Sequence, residues 1–266
     1  MSREILLTVY SPGGADPVFG CVWDFLLGTL EHTLKGEQTV KGGYSTHGGD
    51  IIVACHSTKS LINVWSLSKG QIVCRLSCPG RITALQCSRD GVYCIGAVSE
   101  KIYVWQLHSG KLLAVLLGHY QTVRALQFSD DGTMFLSGGD DNLVCVWQTA
   151  SVLSSAALNE TSPPAHVWSS HSLPVTCIHC GFGGVRSRVY SCSIDQTCKI
   201  WEMSSGQLLS SLTFETGVTT VTTDAAELRL FVGLITGDIH QVNLHKQFTL
   251  QLVRVLELFH ALVFCV

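Results

Sequence analysis

The sequence predicts an all-β chain assembled from repeated four-stranded antiparallel sheets. Three observations predict it. Tryptophan recurs at a near-constant interval, at Trp23, Trp65, Trp105, Trp147 and Trp201, with steps of 42, 40, 42 and 54 residues. Between these positions short runs alternate apolar and polar residues, the period of a strand with one buried face, and the 3.6-residue period of a helix is nearly absent. The composition, 46% hydrophobic and 14% charged, stands against about 25% charged in a typical soluble domain and supplies a large core.

Each tryptophan closes a similar word: CVWDF, INVWSL, IYVWQL, VCVWQT and CKIWEM. The stretch from Ile82 to His119, ITALQCSRDGVYCIGAVSEKIYVWQLHSGKLLAVLLGH, reads as four strands with turns at Asp90-Gly91, Ser99-Glu100 and Ser109-Gly110. The 54-residue step holds an insertion, Thr149 to Trp168, whose Ser, Ala and Pro content predicts a loop extending one connection. A sixth unit, RLFVGLITGDIHQVNL, lacks tryptophan and puts Asn243 42 residues after Trp201. A single four-stranded sheet cannot cover both of its apolar faces, so neighbours must stack, as radial propeller blades or as a linear solenoid. The expected layout is a repeat region over 1–245, with 149–168 inserted in it, and an apolar segment, 246–266, outside the repeat pattern.

The formal net charge of -3 gives no general electrostatic reason to bind nucleic acid or an anionic membrane. Arg81, Arg89, Lys101 and Arg124, on neighbouring repeats, leave a small basic face open as a direct contact to ribosomal RNA. The N-terminal run before Pro12 is too short and too polar for a secretory signal, and most of the twelve cysteines sit inside strand patterns, so reduced, packed thiols are expected. Residues 248–266 are largely apolar, but Arg254, Glu257 and His260 interrupt their centre and argue against a membrane span.

Sharper chemistry meets a plainer reading at each candidate. Cys177, His179 and Cys180 offer a C-x-x-C with an adjacent histidine, yet strand alternation sets the two cysteines on opposite faces and no second spaced pair follows. No metal site is expected. The glycines of GFGG at 181–184 lack dinucleotide spacing, a P-loop lysine and a following helix, which favours a turn. His119 and His171 beside Asp141 and Asp195 have the residue types of general bases, but neither GxSxG nor HExxH accompanies them. Trp168 stands alone in the inserted region, outside the blade period.

Gly118-His119, Asp141 and Trp147 resemble the Gly-His, turn Asp and Trp of WD repeats, and His171, Asp195 and Trp201 resemble a second set. The resemblance implies a WD-repeat β-propeller, and in each matching blade one hydrogen-bonded network: His119, Ser137, Asp141 and Trp147, then His171, Ser191, Asp195 and Trp201. Such a network reconciles a buried carboxylate with its cost by surrounding it with donors. The blades of Trp65 and Trp105 depart from the pattern, with Lys59 and Ser99 six residues before the tryptophan.

Three longer stretches, HYQTVRALQFSDDGTMFLSGGDDNLVCVW, PPAHVWSSHSLPVTCIHCGFGG and RVYSCSIDQTCKIWEMSSGQLL, are similar to the WD-repeat propeller subunits of a complex acting on precursors of the large ribosomal subunit. The resemblance implies a non-enzymatic scaffold for ribosome biogenesis and rRNA processing, without cofactor, in nucleolus and nucleoplasm with a cytoplasmic pool. Implied partners are a proline-, glutamate- and leucine-rich scaffold protein, a helical-repeat subunit and pre-ribosomal particles. Members of that family carry seven blades and a charged helical tail, so five to six blades here read as a truncated isoform or fragment. Adaptor roles in DNA replication, chromatin or ciliary dynein assembly use the same surfaces and stay open. A propeller hydrolase, the alternative from the enzyme class, needs inward-facing carboxylates, whereas Asp90, Asp130, Asp131 and Asp140 lie in turns. The insertion at 149–168, which distinguishes one blade from its siblings, is the expected partner contact.

Overall fold

Two hairpin words, Ser88-Arg89-Asp90-Gly91 and Ser129-Asp130-Asp131-Gly132, fold alike. The aspartate Oδ1 accepts the serine hydroxyl, at 2.5 Å from Ser88 and 2.7 Å from Ser129, and the N–H two residues on, from Val92 and Thr133. Glycine follows at φ 71 and 68, the left-handed region it enters without a Cβ penalty. Local chemistry of this kind sets the strand pairs that the tryptophan period announces.

The computed structural model describes residues 5–9, 18–24, 29–35, 39–45, 51–56, 60–66, 68–69, 71–157, 162–244 and 249–253, with backbone alone for 5–9, 18–24, 30–35, 39–45, 56, 156–157 and 249–253. Six antiparallel sheets follow one another along the chain. The first has three described strands, β1 (Ile5–Val9), β2 (Val18–Asp24) and β3 (Leu30–Lys35). The second holds β4 (Thr39–Ser45), β5 (Ile51–His56), β6 (Leu61–Ser66) and β7 (Gln71–Ser77). The third holds β8 (Ile82–Cys87), β9 (Tyr93–Val98), β10 (Lys101–Gln106) and β11 (Leu112–Leu117).

The fourth sheet is β12 (Val123–Phe128), β13 (Met134–Gly139), β14 (Val144–Gln148) and β15 (His166–Trp168). The fifth is β16 (Val175–Cys180), β17 (Arg188–Ser193), β18 (Thr197–Glu202) and β19 (Leu208–Thr213). The sixth is β20 (Val218–Thr223), β21 (Arg229–Leu234), β22 (Ile239–Asn243) and β23 (Thr249–Val253). Strands within a sheet pair in sequence order, as in a meander.

Trp65, Trp105, Trp147 and Trp201 each lie on a third strand. Trp23 lies on β2, where the register slips between Val22 and Trp23 as it does between Val64 and Trp65 and between Ile200 and Trp201. β2 is thus the counterpart of the third strands. The first strands of the third to sixth sheets bulge at one position, occupied by Thr83, Arg124, Thr176 and Thr219. A bulge re-aims its side chain. The three threonine hydroxyls lie 3.3, 3.2 and 3.0 Å from the carbonyls of Ala97, Cys192 and Gly233 on their second strands.

The chain divides into two compact units, one built mainly from β1 to β10 and the other from β12 to β23. In the first unit the core lies between the second and third sheets, where Val53, Ile62, Val64 and Leu76 meet Ile82, Leu85 and Trp105. In the second unit the fourth and fifth sheets enclose Leu136, Val144, Val146, Val175, Ile178 and Trp201, and the fifth and sixth enclose Tyr190, Ile200, Val221, Leu230 and Val232. Full burial of such a side chain stabilises by about 1.5–3 kcal/mol. Because both faces of an inner sheet are covered, strands such as β13 are buried along their whole length and lose the alternation.

Two segments differ from the expectations raised by the sequence. Within 149–168, expected to be a loop, Thr149–Ala157 forms a helix, α1, and His166–Trp168 is the fourth strand of its sheet, with Val144 opposite Trp168. Alanine favours helix, and Val152 buries its side chain to anchor it. Trp168 is a core residue, stacked on Trp201 at 4.5 Å between ring centroids and 4° between planes. Within 246–266, expected to lie outside the repeat, Thr249–Val253 pairs with β22, Leu250 opposite Val242. TLQLV alternates at period two, which suits a fourth strand. Residues 254–266, including the tail weighed as a membrane span, lie outside the described residues. Among the described residues no helix is long and apolar enough to cross a membrane.

Candidate functional site

Two networks of the same design sit at one end of the fourth and fifth sheets. In the first, His119 comes from the connection before β12, Ser137 from β13, Asp141 from the turn after it and Trp147 from β14. His119 Nδ1 lies 2.9 Å from Asp141 Oδ2, His119 Nε2 lies 2.8 Å from Ser137 Oγ, and Trp147 Nε1 donates to that Oγ at 2.9 Å. In the second, the distances are 3.0 Å from His171 Nδ1 to Asp195 Oδ2, 2.8 Å from His171 Nε2 to Ser191 Oγ and 2.9 Å from Trp201 Nε1 to Ser191 Oγ.

One proton arrangement satisfies every atom. The carboxylate can only accept, so Nδ1 carries the histidine proton and Nε2 is left as an acceptor. The serine hydroxyl then donates to Nε2 and accepts from the indole N–H. Each network is a directed chain from tryptophan through serine and histidine to aspartate.

The turns follow from the same carboxylates. Asp141 accepts the N–H of Leu143 at 3.2 Å and Asp195 that of Thr197 at 3.0 Å, two residues on in each turn. Asn142 and Gln196, between donor and acceptor, take φ 66 and 69. Each carboxylate also accepts the N–H of the residue after its histidine, Tyr120 at 2.9 Å and Ser172 at 3.0 Å. Aspartate therefore ties a turn within its sheet to the connection that enters it.

Electrostatics agree with this proton arrangement. Burial pushes the His171 pKa down against the raising influence of Asp195, which keeps the ring neutral. Burial alone would raise the Asp195 carboxyl, but hydrogen bonds from Thr197 Oγ1, the Ser172 N–H and His171 outweigh it and hold the group at about 2.

Serine bonded to histidine bonded to aspartate is the constellation of a nucleophilic triad. Here Ser137 and Ser191 are wholly buried, and both histidine side chains are closed to solvent. Each serine oxygen already accepts an indole N–H. A substrate carbonyl cannot reach a nucleophile so enclosed, and the arrangement acts as a lock.

The remaining candidates resolve one by one. Ile95 and Cys55 stand ten residues before Trp105 and Trp65, where the networks have serine. Lys59 lies outside the described residues, as does the side chain of Trp23. Trp105 stacks on Tyr103 at 5.8 Å. His179 Nε2 lies 2.9 Å from Thr223 Oγ1, and burial drives its pKa down to about 4. Burial pushes the Cys177 and Cys180 thiols up, away from the thiolate a metal requires. Among the described residues no three His, Cys, Asp or Glu side chains converge as metal ligands.

GFGG receives carboxylates, the opposite of a phosphate cradle. The Phe182 N–H donates to Glu227, and a Cβ on Gly184 would collide with Asp131. Asp90 and Asp131 are occupied in their hairpins. Arg81, Arg89 and Lys101 are exposed. Arg124 is exposed too, and its Nε and Nη2 engage Asp140 at 2.9 and 2.8 Å. Sequence reasoning missed Trp168, although counting back three residues from His119 and His171 reaches Leu116 and Trp168, both buried.

The family described as WD domain, G-beta repeat matches residues 110–148 and 162–202, the two stretches that carry the complete networks. The chain carries WD repeats, and its sheets are blades of a WD-repeat β-propeller, incomplete among the described residues. Among its relatives, WD repeat-containing protein 18 of Bos taurus is 43% identical over 86% of this chain and 54% of its own length. Pre-rRNA-processing protein IPI3 of Yarrowia lipolytica is 31% identical over 74% of the chain and 46% of its own length. Pre-rRNA-processing protein pro-1 of Caenorhabditis elegans is 26% identical over 92% and 47%. The chain spans about half the length of the curated relatives it matches.

Proposed function

We propose that the chain is a non-enzymatic scaffold of ribosome biogenesis, acting in maturation of large-subunit precursors and in rRNA processing. The observation that carries this reading is the 43% identity to WD repeat-containing protein 18, within a set of relatives two of which are named for pre-rRNA processing. The enclosed networks favour it over catalysis, since their serines are sealed and their histidines committed. The partners are a proline-, glutamate- and leucine-rich scaffold protein and a helical-repeat subunit, met in nucleolus and nucleoplasm on pre-ribosomal particles.

Capture of the tagged chain from nuclear extract, read by mass spectrometry for both partners and by hybridisation for large-subunit rRNA precursors, tests the proposal. Joint recovery of partners and precursors is expected. Recovery of neither, from cells where the tagged chain accumulates in folded form, overturns it.

A further inference from the structure

In an antiparallel meander the turn between second and third strands and the connection into the first strand emerge at the same end. In the unit of β12 to β23 that end carries four exposed large apolar side chains. Tyr120, 85% exposed, and Leu173 come from the connections into β12 and β16, and Ile194 and Ile235 from the turns after β17 and β21.

Hydrogen bonds and one close packing contact link the segments that carry these residues. Asp141 accepts the Tyr120 N–H, and the adjacent Asn142 Nδ2 donates to Ser172 O at 3.1 Å. Ser193 Oγ donates to Leu173 O at 2.8 Å, and the Ile194 N–H donates to Pro174 O. Gly217 then fills the space between Ile194 and Ile235, since a Cβ there would meet Ile235 Cδ1 at 2.6 Å and Ile194 O at 3.2 Å.

Charge at this end has one sign. The connections and turns of the three sheets hold Asp140, Asp141, Asp195, Glu215 and Asp238, with no lysine or arginine among them. Asp141 and Asp195 accept from their histidines and from backbone N–H groups, and Arg124, at the bulge of β12, is paired with Asp140. Glu215, exposed, and Asp238, half-buried and accepting the Thr236 hydroxyl at 2.7 Å, are the carboxylates at the Ile194 and Ile235 end.

We propose that this end of the three sheets is a docking surface for a protein segment bearing apolar side chains flanked by lysine or arginine. The apolar side chains supply anchoring area around an aromatic residue of the type that dominates interface energetics. The two networks hold the backbone at Tyr120 and Ser172 before any partner arrives, which lowers the ordering cost of binding. The carboxylates select a basic flank and repel both a phosphate backbone and a glutamate-rich segment. The inference rests on the scaffold reading in that it requires a protein partner.

Panning of the purified full chain against a random peptide library displayed on phage tests the surface directly. The expected consensus is apolar positions beside lysine or arginine. A synthetic consensus peptide should lose at least about tenfold in affinity on Leu173→Ser with Ile194→Ser, the loss typical of truncating a dominant interface side chain. Tyr120→Ala, at a side chain that is 85% exposed, gives the same readout should the double variant fail to fold.

A neutral or acidic consensus, no enrichment, or affinity indifferent to these substitutions overturns the proposal. So does binding of a single-stranded RNA oligonucleotide that the same variants abolish. Capture of pre-ribosomal particles is read separately, so either reading can fail while the other stands.

Discussion

Replacing Asp195 by alanine removes the acceptor of four hydrogen bonds, from His171 Nδ1, the Ser172 N–H, the Thr197 N–H and Thr197 Oγ1. Their losses are unequal. Ser172 is exposed and Thr197 half-buried, so water can replace the carboxylate there. His171 is sealed, and its Nδ1–H would keep only Thr197 Oγ1, at 3.3 Å, as a poorer acceptor, a cost of about 1–3 kcal/mol. A net destabilisation of about 2 kcal/mol follows, which for a chain of this size lowers the thermal midpoint by about 4–8 °C.

Ser191→Ala strikes the same chain from the other side, stripping the Trp201 N–H and His171 Nε2 of their shared partner. Because both substitutions release one imidazole, the double variant should cost less than the sum of the singles by more than about 0.5 kcal/mol. Scanning calorimetry with urea unfolding of the four proteins completes the cycle. An unchanged midpoint for Asp195→Ala, or additive losses, would refute the directed chain of hydrogen bonds.

Acid should weaken the fold through the same groups. His171 has its pKa depressed in the folded chain, so the unfolded chain gains protons first and stability falls as pH drops below about 6.5. Asp195, held at about 2 against an ordinary 3.8, loses its contribution as pH falls from about 4 towards 2. Urea midpoints measured from neutral to acid pH should decline, and His171→Asn should flatten the upper part of that decline. Two glycines separate steric from conformational cost. Gly118→Ala would set a Cβ 2.7 Å from a Trp147 ring carbon and cost about 1–3 kcal/mol by overpacking, whereas Gly132→Ala meets nothing within 4 Å and costs only the left-handed backbone at φ 68, about 1–2 kcal/mol. Equal, negligible shifts in thermal midpoint for both would contradict this packing.

Much of the fold was legible because third strands repeat a tryptophan with a fixed local context. Ser137 and Asp141, ten and six residues before Trp147, are as readable as the strand itself, since one hairpin brings all three together. The fourth strands were harder to read. β15 is three residues long, too short to establish a period, and the Ser and Ala of α1 resemble a linker. The docking surface was not legible at all. Tyr120 and Ile235 are far apart in sequence and share a surface only because every intervening sheet turns at the same end.

The position of β15 bears on how the repeat tolerates change. Trp168 belongs to the fourth sheet by hydrogen bonding and to the fifth by stacking on Trp201, and three residues later His171 enters the network of the fifth. The unit that repeats in sequence and the unit that holds together are out of phase by one strand. Trp168 and His171 fasten this strand to the next sheet, while α1 is held to its own sheet by buried Val152 and by the Thr149 hydroxyl on Gly132 O, so variation in length and content is best borne between α1 and β15. New sequence can enter this fold there without loosening it.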